Sequence, residues 1–321
     1  MRIYKYDNLR FVLMFLVISC HMMEGFNQGW VYDFYRIIYI FHMPAFIYLM
    51  GRFAEFNKKR IFLHFAVPYL VFQTLYLYFA GYVLNGESMI TPQYTTPYWL
   101  LWFLMTAVFY HIILPMLPSR DSERNWPIIL IIGGTIVVAL IAGYDNNIGY
   151  YMTLSRTVVF FPFFLLGYYH TSISKKIKMK GNPLFSAMMI ILPLILIFFG
   201  SKYLLDKNVT PQLLYGSYSY EACGGDAFLR TVVFAVAIGW IIFFNCIIPN
   251  IKIPIVTACG RNTMIAYLFH GFIVKLLIKN NVFHYSLTVN FAIAVVIAIV
   301  IMAVSGYANH IVTLISRKRS V

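Results

Sequence analysis

Ten long apolar runs, broken by short polar or basic stretches, organise the chain: 9–26, 34–53, 61–84, 97–117, 126–143, 150–170, 183–201, 226–248, 262–279 and 286–308. The runs are continuous rather than alternating, so they predict helices and not the strands of a barrel. Most are close to the roughly 20 apolar residues that a helix needs to cross a bilayer. Pro44, Pro68 and Pro162 fall inside runs, where neighbouring helices can satisfy the freed backbone groups. No long linker, soluble domain or internal repeat stands out. The expected architecture is an all-α polytopic membrane protein of about ten transmembrane helices, a single domain over residues 1–321. The basic N-terminal flank MRIYKYDNLR resembles that of a signal peptide, but no small-residue cleavage site follows, so the first run is expected to stay as a span.

Composition sharpens this picture. Of 321 residues, 61% are hydrophobic and 11% charged, against about 25% charged in an average soluble domain; mean hydropathy is +0.74. A soluble globule and a disordered chain are excluded. The net charge of +14 could suggest nucleic acid, but its distribution points to topology. Alternate loops carry Arg2, Lys5 and Arg10; Arg52, Lys58, Lys59 and Arg60; Arg120 and Arg124; Lys175, Lys176, Lys178 and Lys180; Lys252 and Arg261; and Arg317, Lys318 and Arg319. The opposite loops hold Lys202, Lys207 and Lys279. By the positive-inside rule both termini are cytoplasmic, and no nucleic-acid partner is expected. The four cysteines form no metal-ligand spacing, so no metal site is expected.

Ionisable groups inside spans are costly and mark candidate functional positions. They are Arg10, His21, Glu24, Arg36, His42, Arg156, Arg230, His270 and Lys275. Arg36, Arg230 and Lys275 lie near span ends, where snorkelling to a headgroup explains them; His42 reads equally as a hydrogen-bonded core histidine. Arg10 and His21 are eleven residues apart, which puts them on one helix face with about 16 Å of axial separation. Glu24, three residues beyond His21, is near enough to orient its ring and stabilise the protonated form.

The segment Tyr6-Asp7-Asn8-Leu9-Arg10 through His21 resembles the opening of the acyltransferase-3 family of membrane acyltransferases, whose hallmark is an arginine, ten residues and a histidine. Phe41-His42-Met43-Pro44 leading to Gly51 is similar to the second-span motif of the subgroup resembling fucose O-acetylases. Lys58-Lys59-Arg60 with Pro68-Tyr69, the WLLWFL stretch Trp99–Leu104, Arg156 with FFPFFLLG at 160–167, and Gly260-Arg261-Asn262 before Tyr267-Leu268-Phe269-His270 continue the likeness. The chain departs from it at Met50, where many members have serine, and it ends at Val321 without the SGNH esterase-like domain of larger members.

The resemblance implies O-acylation of a carbohydrate hydroxyl, with acetyl-CoA from the cytoplasm as donor and an envelope or extracellular glycan as acceptor. It further implies a bacterial plasma membrane, no metal, and a connection to envelope polysaccharide synthesis machinery. His21 is then the catalytic candidate, either as general base on the sugar hydroxyl with Glu24 orienting it, the favoured route, or as carrier of the acetyl group. Arg10, Lys58, Arg60 and Arg156 are candidates for CoA phosphates, which suit arginine and lysine. Arg156 and His270 are also candidates for a shared cavity in which a cation faces the developing oxyanion. His42, Trp102, Asn262 and His270 are expected to line the site. The competing class is a transporter or flippase for a glycan or lipid-linked sugar; a non-catalytic partner of an envelope synthase is a third.

Overall fold

The computed structural model of the chain describes residues 3–86, 93–120, 126–177 and 183–318. The basic loop positions Arg2, Arg124, Lys178, Lys180 and Arg319 lie outside the described residues. All secondary structure among the described residues is helical. The long helices are α1 (Tyr4–Met23), α2 (Gly29–Arg52), α3 (Lys58–Asn85), α4 (Trp99–Met116), α5 (Trp126–Tyr144), α6 (Tyr151–Tyr168), α7 (Pro183–Asp206), α8 (Ala227–Ile247), α9 (Thr263–Lys279) and α10 (Leu287–Lys318). Each of the ten apolar runs falls on one of them. Eight, all but α1 and α9, are long and apolar enough to cross a membrane. The first turns of α1 carry Lys5, Asp7, Asn8 and Arg10, and α9 has 17 residues. The chain is a multi-pass membrane protein.

The helices gather into two compact units, Met1–Ile38 with Ile247–Val321, and Tyr39–Cys246. In the first unit α1 is central and packs on α9, α10 and the short helix Pro254–Arg261. Leu9, Leu13, Ile18 and Met22 of α1 are wholly enclosed. Lipid tails are as apolar as leucine, so helix association in a membrane depends on close van der Waals contact and hydrogen bonds. Gly260 permits such contact: a Cβ there would lie 1.8 Å from the Asp7 carbonyl oxygen. Asn8 fixes the register from the other side. Its Nδ2 donates to the carbonyls of Pro249 (3.2 Å) and Ile251 (3.1 Å), and its Oδ1 accepts from the Thr257 hydroxyl (2.7 Å).

In the second unit the later turns of α2 cross α6 at a reciprocal pair of glycines. A Cβ on Gly51 would lie 2.0 Å from the Phe164 oxygen, and one on Gly167 would lie 1.9 Å from the Tyr48 oxygen. Helix α3 widens into π turns at Phe62–Ala66 and Phe79–Asn85. Its buried Gln73 donates to Gln93 O (2.7 Å) and Thr96 O (3.1 Å) and accepts from Tyr98 N (2.8 Å), pinning the approach to α4. Thr106 of α4 meets Thr153 and Thr157 of α6 through hydroxyl contacts of 3.3 and 3.1 Å.

Gly167→Ala is expected to destabilise the protein by about 1–3 kcal/mol, because a methyl group must displace backbone rather than a flexible side chain. Gly133→Ala on α5, with open space around its Cβ, should leave stability at or slightly above wild type. Thermal unfolding of both variants in one detergent checks the contrast.

Candidate functional site

In the first unit, α1 is an unbroken helix from Tyr4 to Met23, so Arg10 and His21 do share a face. His21 is buried (9% exposed) and His270 of α9 is fully enclosed (0%). His21 Nδ1 lies 2.9 Å from His270 Nε2, and His270 Nδ1 lies 2.9 Å from the Ala266 carbonyl one turn back along α9. The two imidazole planes differ by 7°, with centroids 5.2 Å apart. A ring nitrogen sits about 1.2 Å from its centroid, so a centroid separation this long with a 2.9 Å nitrogen contact needs both nitrogens between the centroids. The rings therefore meet edge to edge, in plane, as in a hydrogen bond, rather than face to face. Glu24, expected from spacing to orient His21, forms an ion pair with Lys275 at 3.6 Å. Lys275 thus has a carboxylate partner, where the sequence suggests snorkelling.

At the start of α1, Asp7 is 3% exposed and lies between two guanidinium groups. Arg10 Nη1 is 3.3 Å from its Oδ1, and Arg261 Nε is 3.9 Å from its Oδ2. Arg10 is half-buried and Arg261 is exposed. Sequence reading gives Arg10 a site role, but names Asp7 and Arg261 only within motifs and loop charges and does not bring them together. The available signal is a carboxylate three residues before Arg10, the one acidic residue of α1. Asn262 is exposed and ends the short helix whose last residue is Arg261.

In the second unit, Arg156 of α6 donates from Nε to Tyr215 O (3.2 Å) and from Nη2 to Ser217 Oγ (3.3 Å). Its guanidinium carbon lies 4.9 Å from the Trp102 ring centre and 5.2 Å from that of Tyr150, cation–π distances in both cases. Trp102 stacks in turn on Phe160, with centroids 5.6 Å apart. Tyr218 meets Tyr150 edge to face at 5.5 Å. A hydrogen bond with Tyr150, then burial, pushes the Tyr218 phenol up to about 12, so it keeps its proton at neutral pH. His42 is buried against Tyr39, whose ring also meets Tyr215.

Sequence reading groups Arg156 with Lys58 and Arg60; the structure separates them. Lys58 and Arg60 are exposed in the first turn of α3, which Asn57 caps by accepting from Arg60 N, and Arg60 faces Glu55 at 4.0 Å. Gln73, which binds the entry to α4, lies about 20 Å further along α3, and Trp102 is one turn into α4 from there. Arg156 therefore belongs to the far end of this unit, with the 215–218 segment. Arg230, expected to snorkel, is 2% exposed. It donates to Ala139 O and Tyr218 O and lies 4.5 Å from the Tyr220 ring centre. Among the described residues, no group of three His, Cys, Asp or Glu is placed to hold a metal ion.

Eight membrane-length helices, with His42 and Arg230 buried on two of them, define a multi-pass membrane protein. Residues 3–309 match the family described as Acyltransferase domain, and the chain belongs to that family of transferases. No curated protein and no solved structure matches the chain.

Asn8→Ala is expected to lower stability by about 1–3 kcal/mol, since it strands the buried Thr257 hydroxyl and removes the bonds to the Pro249 and Ile251 carbonyls. A lowered melting temperature in detergent checks this; an unchanged one would mean the three groups find other partners.

Proposed function

We propose that this membrane acyltransferase moves an acetyl group from cytoplasmic acetyl-CoA to a hydroxyl of an envelope or extracellular carbohydrate. The observation that carries the reading is the buried His21–His270 hydrogen bond, 249 positions apart in a chain of the acyltransferase family. On this reading the chain has ten spans and cytoplasmic termini, following the loop charges. His21 is the general base that takes the proton of the acceptor hydroxyl, a weak nucleophile without such help. Arg10, at the start of α1, binds CoA phosphates, and the exposed Lys58 and Arg60 add basic charge on the same cytoplasmic side. Asp7 supports Arg10 and enlists Arg261 in the same role.

Arg156 moves from the donor side to the acceptor side. Its partners lie in the 215–218 segment, which the loop-charge topology puts outside, and its companions Trp102, Tyr150 and Tyr218 offer aromatic faces and hydroxyls suited to a sugar. His42 is retained as a candidate residue of the second unit and Asn262 as one of the first. Glu24, three residues beyond His21, is paired with Lys275, which offsets its charge.

Purified protein is expected to transfer or hydrolyse acetyl from radiolabelled acetyl-CoA, and His21→Ala should abolish this without loss of expression. Full activity in that variant would overturn the scheme, and saturable glycan movement without CoA consumption would favour a transporter. Arg10→Ala should raise KM for acetyl-CoA about tenfold or more by removing a charge-assisted phosphate contact. Mass spectrometry of envelope glycans from cells with and without the gene then identifies the acceptor through a missing acetyl group.

A further inference from the structure

We infer that His270 is a positioning residue that makes Nε2 the reacting nitrogen of His21; this rests on the general-base reading above. The argument begins at the Ala266 carbonyl, 2.9 Å from His270 Nδ1. A carbonyl oxygen can only accept, so His270 Nδ1 carries a proton. In a neutral imidazole the other nitrogen then holds the lone pair, and that nitrogen, Nε2, lies 2.9 Å from His21 Nδ1. His21 must donate from Nδ1, which leaves its own lone pair on Nε2. The near-coplanar, edge-to-edge rings aim the N–H along the in-plane lone pair of its partner. The reverse polarity would require a doubly protonated His270, and placing a charge on a fully enclosed ring is costly.

The chain of dependence runs from backbone to reaction. The helical geometry of α9 fixes Ala266 O under His270, His270 fixes the tautomer of His21, and the tautomer determines which nitrogen can accept a proton. In the reaction, the acceptor hydroxyl gives its proton to His21 Nε2 while its oxygen attacks the thioester carbonyl carbon. The tetrahedral intermediate then expels the CoA thiolate as the C–S bond breaks, and the proton on Nε2 passes to the thiolate sulfur. The Nδ1 proton stays in the bond to His270 throughout. That bond becomes charge-assisted while His21 is an imidazolium, so it tightens when positive charge is greatest.

Two measurements on the full chain in lipid nanodiscs test this. In ¹⁵N spectra of histidine-labelled protein, with the His21 signals identified by their loss in His21→Ala, neutral His21 should show a protonated Nδ1 and a bare Nε2. A protonated Nε2 with a bare Nδ1 would overturn the inference, and this measurement needs no variant at position 270. In the second, His270→Gln, whose amide oxygen can stand in for Nε2 as acceptor, should keep kcat within about threefold of wild type. His270→Leu, which has no acceptor, should lower kcat at least about tenfold. KM for acetyl-CoA should change by less than about twofold in both, because no donor contact is lost. A His270→Leu enzyme with wild-type kcat, or a Gln variant as impaired as the Leu variant, would also overturn it. His21→Ala in the same assay keeps the two ideas apart. If that variant is active, the general-base reading fails whatever the tautomer; if it is dead and the spectra show a bare Nδ1, only the role of His270 fails.

Discussion

A polar side chain enclosed among helices must find its partners within the protein, and this constraint shapes the packing of the first unit. Asn8 satisfies three hydrogen-bonding groups from segments more than 240 positions away, and His270 is held by a backbone carbonyl on one edge and by His21 on the other. Each such bond is worth more for its geometry than for its net energy. A partner removed leaves a stranded donor or acceptor, so only one register of α1 against the C-terminal segments satisfies all of them together. The second unit meets much of the same demand with different parts, although the buried Nε of Arg230 has no hydrogen-bond partner among the described residues. Gln73 saturates the entry to α4, and the buried Arg230 is held by two carbonyls and an aromatic face rather than by a carboxylate.

Such bonds require backbones that approach closely, which explains the coupling between glycines and functional positions. Gly260 lets the Pro254–Arg261 helix touch α1 at Asp7, and its neighbour Arg261 reaches the Asp7 carboxylate as a result. A larger residue at 260 would push the segment outward and take Arg261 with it. The basic end of the first unit is thus a consequence of packing as much as of charge.

The apolar runs of the sequence report the helices well because lipid demands nearly unbroken hydrophobicity over their length. The shared face of Arg10 and His21 is equally legible, since helical spacing alone determines it. Partners are another matter. Periodicity says which way a side chain points and nothing about what stands opposite, so Glu24 looks like the natural companion of His21 while the structure pairs it with Lys275. Arg156 could be counted among the basic residues that face phosphates until the 215–218 segment, distant in sequence, folded back onto it. Arg230 reads as a snorkelling residue because its nearness to a helix end is visible in sequence and the Tyr220 ring that covers it is not.

The choice of a second histidine as the partner of His21 has a physical logic. A carboxylate bonded directly to Nδ1 would favour the imidazolium strongly in a low-dielectric interior, and a base that already holds a proton cannot take one from a hydroxyl. A neutral acceptor such as His270 fixes the tautomer without adding a charge. Here the nearby carboxylate of Glu24 is matched by Lys275, so its field at the ring is offset. On the proposed general-base reading, orientation and charge fall to separate residues, His270 and the Glu24–Lys275 pair, and His21 stays neutral until it takes the proton of the acceptor hydroxyl.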